Sequence, residues 1–178
     1  MKHELGEHPL SARIYRAMKI SPLKQRDESD CGPTSIHMAV RYFGLPYSFE
    51  QIATISQYIK KDGLSNEDLV ETFKNLGLDV RAQANATWED LQRSNTPDTV
   101  IVVSWMKFGY IGHFSVVENV EKDCIELADP QEGKIITMEK IPFMRLWMDY
   151  DDMWYPSKNT DIQLRWMCVV STKRRTKA

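Results

Sequence analysis

The chain has 178 residues, 42% of them hydrophobic, which is enough for one domain with its own core and too few for two. A net charge of -2 leaves no basic field for nucleic acid, and the cationic run Lys173, Arg174, Arg175 and Lys177 is confined to the C-terminal tail. Cys31, Cys124 and Cys168 make neither an even disulfide framework nor a metal-spaced cluster, so a reducing compartment and no cofactor or metal are expected.

The first 20 residues mix charges and histidines, with no continuous apolar region or cleavage site of a signal peptide. Leu10, Ile14, Tyr15 and Met18 fall at helical spacing, which predicts an arm or short helix that packs on the domain or binds a partner, before Ser21 and Pro22 break it. Residues 21–170 read as the domain and 171–178 as a solvated, disordered basic tail. Residues 99–106 fall far short of the roughly twenty apolar residues of a spanning helix, so the chain reads as soluble and cytoplasmic.

The richest stretch is 25–43, QRDESDCGPTSIHMAVRYF. Ile36, Ala39, Val40 and Phe43 recur at i, i+3, i+4 and i+7, the buried face of a helix that starts at Cys31. Asp30 is the expected cap, and Pro33 fits a first turn whose N–H has no intrahelical partner. Free N–H groups and the positive end of the helix dipole then face the sulfur, an environment that favours the nucleophilic thiolate. A lone cysteine would still be read as a small buried hydrophobe.

Gly44, Pro46 and Tyr47 predict a turn, and Ser48 with Gln51 a capping box that opens a second helix burying Ile52, Ile55 and Ile59. Asp62 and Gly63 end it. Ser65 and Asp68 open a third, with Leu69, Val70, Phe73 and Leu76 apolar and Gly77 as its stop. A strand over 78–84 and a short helix over 87–92 lead to the β-branched run 99–106. Residues 113–120 and 124–128 flank a tight polar turn, the mark of a hairpin, and 134–138 add a further antiparallel strand. A helix over 139–147 tolerates Pro142 in its first turn, an acidic loop over 149–152 follows, and a last strand over 163–170 closes the domain. Helices first and neighbouring strands afterwards predict an α+β fold, N-terminal helices packed on an antiparallel β-sheet.

Two segments give Cys31 partners: GHFSVV, with His113, and ADP, with Asp129 before Pro130. Alone, His113 would be a hydrogen-bonded edge histidine as readily as a catalytic one, and Asp129 a turn residue. Together with Gln25, six residues before Cys31, they make the chain resemble the C39-type peptidases of the papain-like cysteine protease superfamily, over roughly residues 20–150. The resemblance lies in Q-x-x-x-x-D-C-G, in G-H-F/Y-x-V-V and in the Asp-Pro pair; Thr34 departs from it where a small alanine is usual.

The resemblance implies a papain-like cysteine protease fold and a triad. Cys31 is then the nucleophile, His113 the general base and later acid, and Asp129 the group that fixes the imidazole tautomer. Gln25 with the backbone N–H of Cys31 would form the oxyanion hole. It also implies a peptide or protein substrate, cut after a small-residue or double-glycine site. The family's best-known members are fused to a membrane transporter, for which this chain has no room, so association with a separate transporter is the corresponding expectation. The same triad serves a deamidase, isopeptidase or acyltransferase, and a papain-like module can hold a peptide without cutting it, although a pure binder would not require all four residues.

His37 reads as structural or exposed, His3 and His8 as part of the arm, and Cys124 and Cys168 as inert packing residues in strands. Trp147, Tyr150, Trp154, Tyr155 and Trp166 read as core or rim packing. An exposed subset would line a peptide groove in which Asp149, Asp151 and Asp152 prefer a basic substrate or partner.

Overall fold

The computed structural model describes residues 19–58, 63–150 and 156–173. The arm over 1–18, Ile59, Asp62, Asp151, Asp152, Trp154, Tyr155 and the tail from 174 onward lie outside the described residues. Ile20 is buried, and its N–H donates to Glu118 Oε2 at 2.7 Å.

Three helices come first: α1 (Cys31–Tyr42), α2 (Phe49–Ile55) and α3 (Asn66–Asn75). The capping box foreseen at Ser48/Gln51 is formed, and the helix start foreseen at Ser65 and Asp68 is a second box; both satisfy backbone donors that the first turns leave without partners. A third box, Thr87 with Asp90, opens α4 (Trp88–Ser94). Asp30 departs from expectation. It precedes α1 but makes no side-chain cap; its buried carboxylate accepts from Tyr58 Oη at 2.5 Å and from the Asp27 N–H at 3.1 Å. The acid therefore braces the turn that delivers Cys31. Phe43 ends α1 as its C-cap and is half-buried.

The main sheet runs in the order β1 (Leu78–Gln83), β8 (Met167–Thr172), β2 (Thr99–Lys107), β3 (Ile111–Val120), β4 (Cys124–Asp129), β5 (Lys134–Glu139), antiparallel throughout. Alternation sorts its side chains onto two faces. Val100, Val102, Phe114, Val116, Ala128, Cys168 and Val170 pack with Ile36, Val40, Ile52, Leu69 and Phe73 of α1 to α3. Ile101, Val103, Trp105, Val117, Ile125 and Leu127 pack instead under Trp88 and Leu91 of α4 and Phe143 of α5 (Lys140–Leu146). The sheet is thus covered on both faces. This gives the physical reason that β2 is buried along nearly its whole length and reads as a mainly apolar run rather than an alternating one.

The C-terminal part differs from expectation. Residues 163–170 are two strands, because Arg165 takes a positive φ of 49° and donates its N–H to Trp147 O, which ends β7 (Ile162–Leu164) and lets β8 begin. Asp149 lies in a strand and not in a loop: β6 (Met148–Tyr150) pairs with β7 in a separate two-stranded sheet, with Asp149 opposite Gln163.

Candidate active site

Cys31 begins α1 and is 9% exposed. The tertiary fold brings it beside His113 on β3, close enough for the sulfur to help raise the imidazole's pKa. On the other side of the ring, Nε2 stands 3.2 Å from Asp129 Oδ2, at the end of β4. With Nε2 so engaged, Nδ1 is the nitrogen left to the sulfur. The cross-strand partner of His113 is Trp105, whose ring meets the imidazole edge-on with centroids 5.8 Å apart. Packing and Asp129 together hold the ring in one orientation.

Burial by itself would lower the His113 pKa. The hydrogen bond to Asp129, then that to Cys31 and the charges of both, outweigh it and push the imidazole up to about 8. Burial likewise penalises the Asp129 carboxylate, yet the His113 hydrogen bond and charge, the Glu132 N–H and the Lys107 ammonium bring it down to about 2. The arrangement favours a carboxylate beside an imidazolium.

Gln25 is anchored near the same corner, its backbone N–H donating to Pro130 O at 2.8 Å. Its side-chain Nε2 donates to the carbonyls of Asp27 (2.7 Å) and Glu28 (3.0 Å), and its buried Oε1 has no hydrogen-bond partner. Both amide hydrogens are thus engaged within its own loop.

A cavity of about 560 Å³ opens in front of the sulfur, lined among others by Cys31, Leu64, Gly112, His113 and Asp149. Space is tight at two glycines, Gly112 in its lining and Gly32 beside Leu64. A Cβ on Gly32 would meet Leu64 Cδ1 at 3.0 Å, and one on Gly112 would meet Asp149 Oδ1 at 3.0 Å. Ser104 Oγ donates to Asp149 Oδ2 and fixes that carboxylate.

Sequence reading missed two participants. Lys107 follows the predicted run 99–106 and is buried against Asp129. Tyr58, within the second predicted helix, has its pKa raised to about 12 by burial and then by its hydrogen bond to Asp30. Neither carries a local signal, since each acquires its role from a contact distant in sequence. Asp149, expected in an acidic loop beside a groove, does line the cavity, from β6 paired with β7.

His37 is half-buried and its pKa is lowered by burial, then by Arg41 and Arg26, in keeping with a structural role. Cys168 is fully buried and its thiol is pushed up to about 12 by burial. Cys124, on β4, is raised by desolvation and by Glu121. Iodoacetamide is therefore expected to modify Cys31 first in the folded protein, as peptide mapping of a time course will read; prior modification of Cys124 or Cys168 would remove the chemical support for Cys31 as the nucleophile.

Known proteins share this arrangement of chain. The model of the Peptidase C39 family matches residues 19–151. The lactococcin-G-processing and transport ATP-binding protein LagD of Lactococcus lactis subsp. lactis is 33% identical over 115 residues, covering 62% of this chain and 15% of that protein. The transport/processing ATP-binding protein ComA of Streptococcus pneumoniae is 31% identical over 119 residues, covering 66% of this chain and 16% of that protein. The chain thus spans about a sixth of the length of these curated relatives. Among solved structures, the peptidase domain of Streptococcus ComA aligns with a TM-score of 0.66 over 86% of this chain and 99% of that domain, at 22% identity. A double glycine motif protease from an AMS/PCAT transporter, solved with its leader peptide, aligns with a TM-score of 0.64 over 88% and 95%, at 17% identity. At these identities the structural likeness bears on the fold, and the family match over three quarters of the chain bears on descent: the chain belongs to the Peptidase C39 family of cysteine peptidases, on a papain-like α+β fold.

Proposed function

We propose that this protein cleaves a peptide or protein substrate by covalent catalysis at Cys31, with His113 as base and acid and Asp129 as the group that orients His113. The observation that carries the reading is that Cys31 and His113 line one cavity, the sulfur close enough to raise the imidazole's pKa, while Asp129 is hydrogen-bonded to His113 from behind. His113 takes the thiol proton and the thiolate attacks the scissile carbonyl carbon, whose π electrons move onto oxygen. Collapse of the tetrahedral intermediate breaks the C–N bond, and the imidazolium gives its proton to the leaving amine. His113 then deprotonates a water that attacks the thioester, which releases the acid and restores the thiol.

The backbone N–H of Cys31, in the first turn of α1, and the side-chain amide of Gln25 are the proposed donors to the oxyanion. For Gln25 this requires exchange of one of its carbonyl hydrogen bonds, to Asp27 or Glu28, for the developing charge. Gln25→Ala is expected to lower kcat by about a hundred- to a thousandfold while KM changes little, because the donor acts on the transition state. Weaker substrate binding with an unchanged kcat would make Gln25 a recognition residue.

The tight space at Gly112, in the cavity lining, favours small residues next to the scissile bond, and relatives that process peptides or carry a double glycine motif specificity support a double-glycine site. A transporter is the matching partner. No helix among the described residues is long and apolar enough to cross a membrane, and all three cysteines are free, in keeping with a reducing, cytoplasmic site of action. The test is incubation with peptides containing Gly-Gly and with matched Ala-Ala and Leu-Leu peptides, read by mass spectrometry. The expected result is hydrolysis after the glycine pair and a thioester on Cys31. A product that differs from substrate by one mass unit, or one joined to an added amine, would assign the site to deamidation or acyl transfer; binding with no covalent intermediate would assign it to a peptide-binding module.

A further inference from the structure

The last residue of β2 turns inward. Lys107 is buried, its Nζ standing 3.0 Å from Asp129 Oδ1 and 3.0 Å from Oδ2. Placing an ammonium there is costly unless a carboxylate meets it, and Asp129, fully buried, does so with both oxygens. The same carboxylate accepts the Glu132 N–H at Oδ1 (2.9 Å) and faces His113 Nε2 with Oδ2 (3.2 Å). Donors from β2, β3 and the turn after β4 thus fix the plane of one side chain.

We propose that Lys107 is a positioning residue that acts through Asp129, holding the carboxylate on His113 and balancing its charge so that the Cys31–His113 pair can exchange its proton. The proposal rests on the Cys31, His113 and Asp129 reading above and adds to it a fourth group that touches neither substrate nor sulfur. Without an opposing cation, a buried carboxylate against the imidazole would bind the imidazolium too firmly for it to release a proton to the leaving amine. Lys107 supplies that opposition from within the site.

The other groups that face this cluster are mainly acidic. Glu28 and Asp30 lie in the turn before Cys31 on the α1 side, and Asp149 of β6 stands against Gly112. Glu132 Oε1 is 3.5 Å from Lys107 Nζ, while Lys134 at the start of β5 lies 3.6 Å from Glu132 on its exposed side. Removing Lys107 therefore leaves His113 facing Asp129 with the nearest buried cation gone.

The expected consequence is an upward move of both macroscopic pKa values of the Cys31–His113 pair in Lys107→Met, by about one unit, the order for loss of one charge several ångströms away in a partly buried site. The readout is the rate of iodoacetamide alkylation of Cys31 against pH, which needs no substrate and which a role confined to folding would not shift. Lys107→Arg should return both values to within a few tenths of wild type. Lys107→Gln replaces Lys107→Met if circular dichroism shows the latter unfolded. A folded Lys107→Met or Lys107→Gln protein with the wild-type profile, whatever its Tm, overturns the proposal. If wild-type Cys31 itself titrates as a free thiol with a single step near the ordinary value of about 8.5, the Cys31–His113 reading fails first and this inference falls with it.

Discussion

Cys31→Ala is expected to abolish cleavage, and His113→Ala to come close to it, in an assay with a peptide that the wild-type protein turns over. The first removes the atom that forms the thioester, for which the cavity offers no substitute. The second leaves a thiol without a base to ionise it or an acid to protonate the leaving amine. Because the two act as one unit, the double variant should be scarcely slower than either single one, as when members of a hydrolase triad are removed together and the effects do not add. The combined loss should be of the order of a millionfold in kcat, with any residual rate due to binding and oxyanion donors. Substrate affinity of Cys31→Ala, measured by calorimetry, should stay within a few-fold of wild type, since the thiol is small and lies at the cavity mouth. A Cys31→Ala protein that still cleaves would end the covalent reading outright.

Asp129→Ala is expected to cost stability as well as turnover. The intact Lys107–Asp129 pair adds little net stability over an apolar pair of the same shape, because desolvation of both ions offsets their attraction. Deleting one partner is another matter. It strands a buried ammonium and removes the acceptor of the Glu132 N–H, for a cost of about 3–5 kcal/mol. At about 2–4 °C per kcal/mol for a domain of this size, Tm should fall by roughly 6–20 °C. Asp129→Asn keeps the shape and an acceptor for Nε2–H, so it should retain part of the activity and more of the stability. A Tm for Asp129→Ala within 2 °C or so of wild type would mean that the pair is not buried as described.

The same groups give stability its pH dependence. His113 is raised from 6.5 to about 8 in the folded protein, so its contribution is complete below about pH 6.5 and is lost as pH rises through 8. Asp129 is lowered from 3.8 to about 2, so its contribution is complete above about pH 4 and is lost as pH falls through 2. Both are fully present between about pH 4 and 6.5, where denaturant midpoints should be highest as far as these two groups decide it. In Asp129→Asn the decline above pH 6.5 should flatten, because the imidazole loses its principal partner.

Much of the fold follows from local rules that act within a few residues. Ser48 with Gln51 and Ser65 with Asp68 satisfy their own first-turn donors whatever packs around them, so two helix starts are legible from side-chain chemistry. Gly77, at φ 82°, takes the left-handed conformation that ends α3, and the polar residues Glu121 to Asp123 turn β3 back as β4. The spacing of Gln25, Cys31, His113 and Asp129 carries the family resemblance, and with it the α+β class and the candidate site. The sequence itself determined these, because each depends on neighbours along the chain or on a linear pattern.

What tertiary structure decided is everything that a distant contact sets. Periodicity could not show that α4 and α5 cover the second face of the sheet, since a strand buried on both sides and a short apolar helix segment look alike in composition. Asp30 has the side chain of a cap, and it braces Tyr58 instead because that hydroxyl arrives from 28 residues away. Lys107 ends a hydrophobic strand where lysine is usually a solvated gatekeeper; it turns inward because the β2, β3, β4 register sets Asp129 beside it, 22 positions on. A charge goes where its counter-charge is. That location is a property of the folded chain, fixed by strand register and packing, and no window of residues around Lys107 contains it.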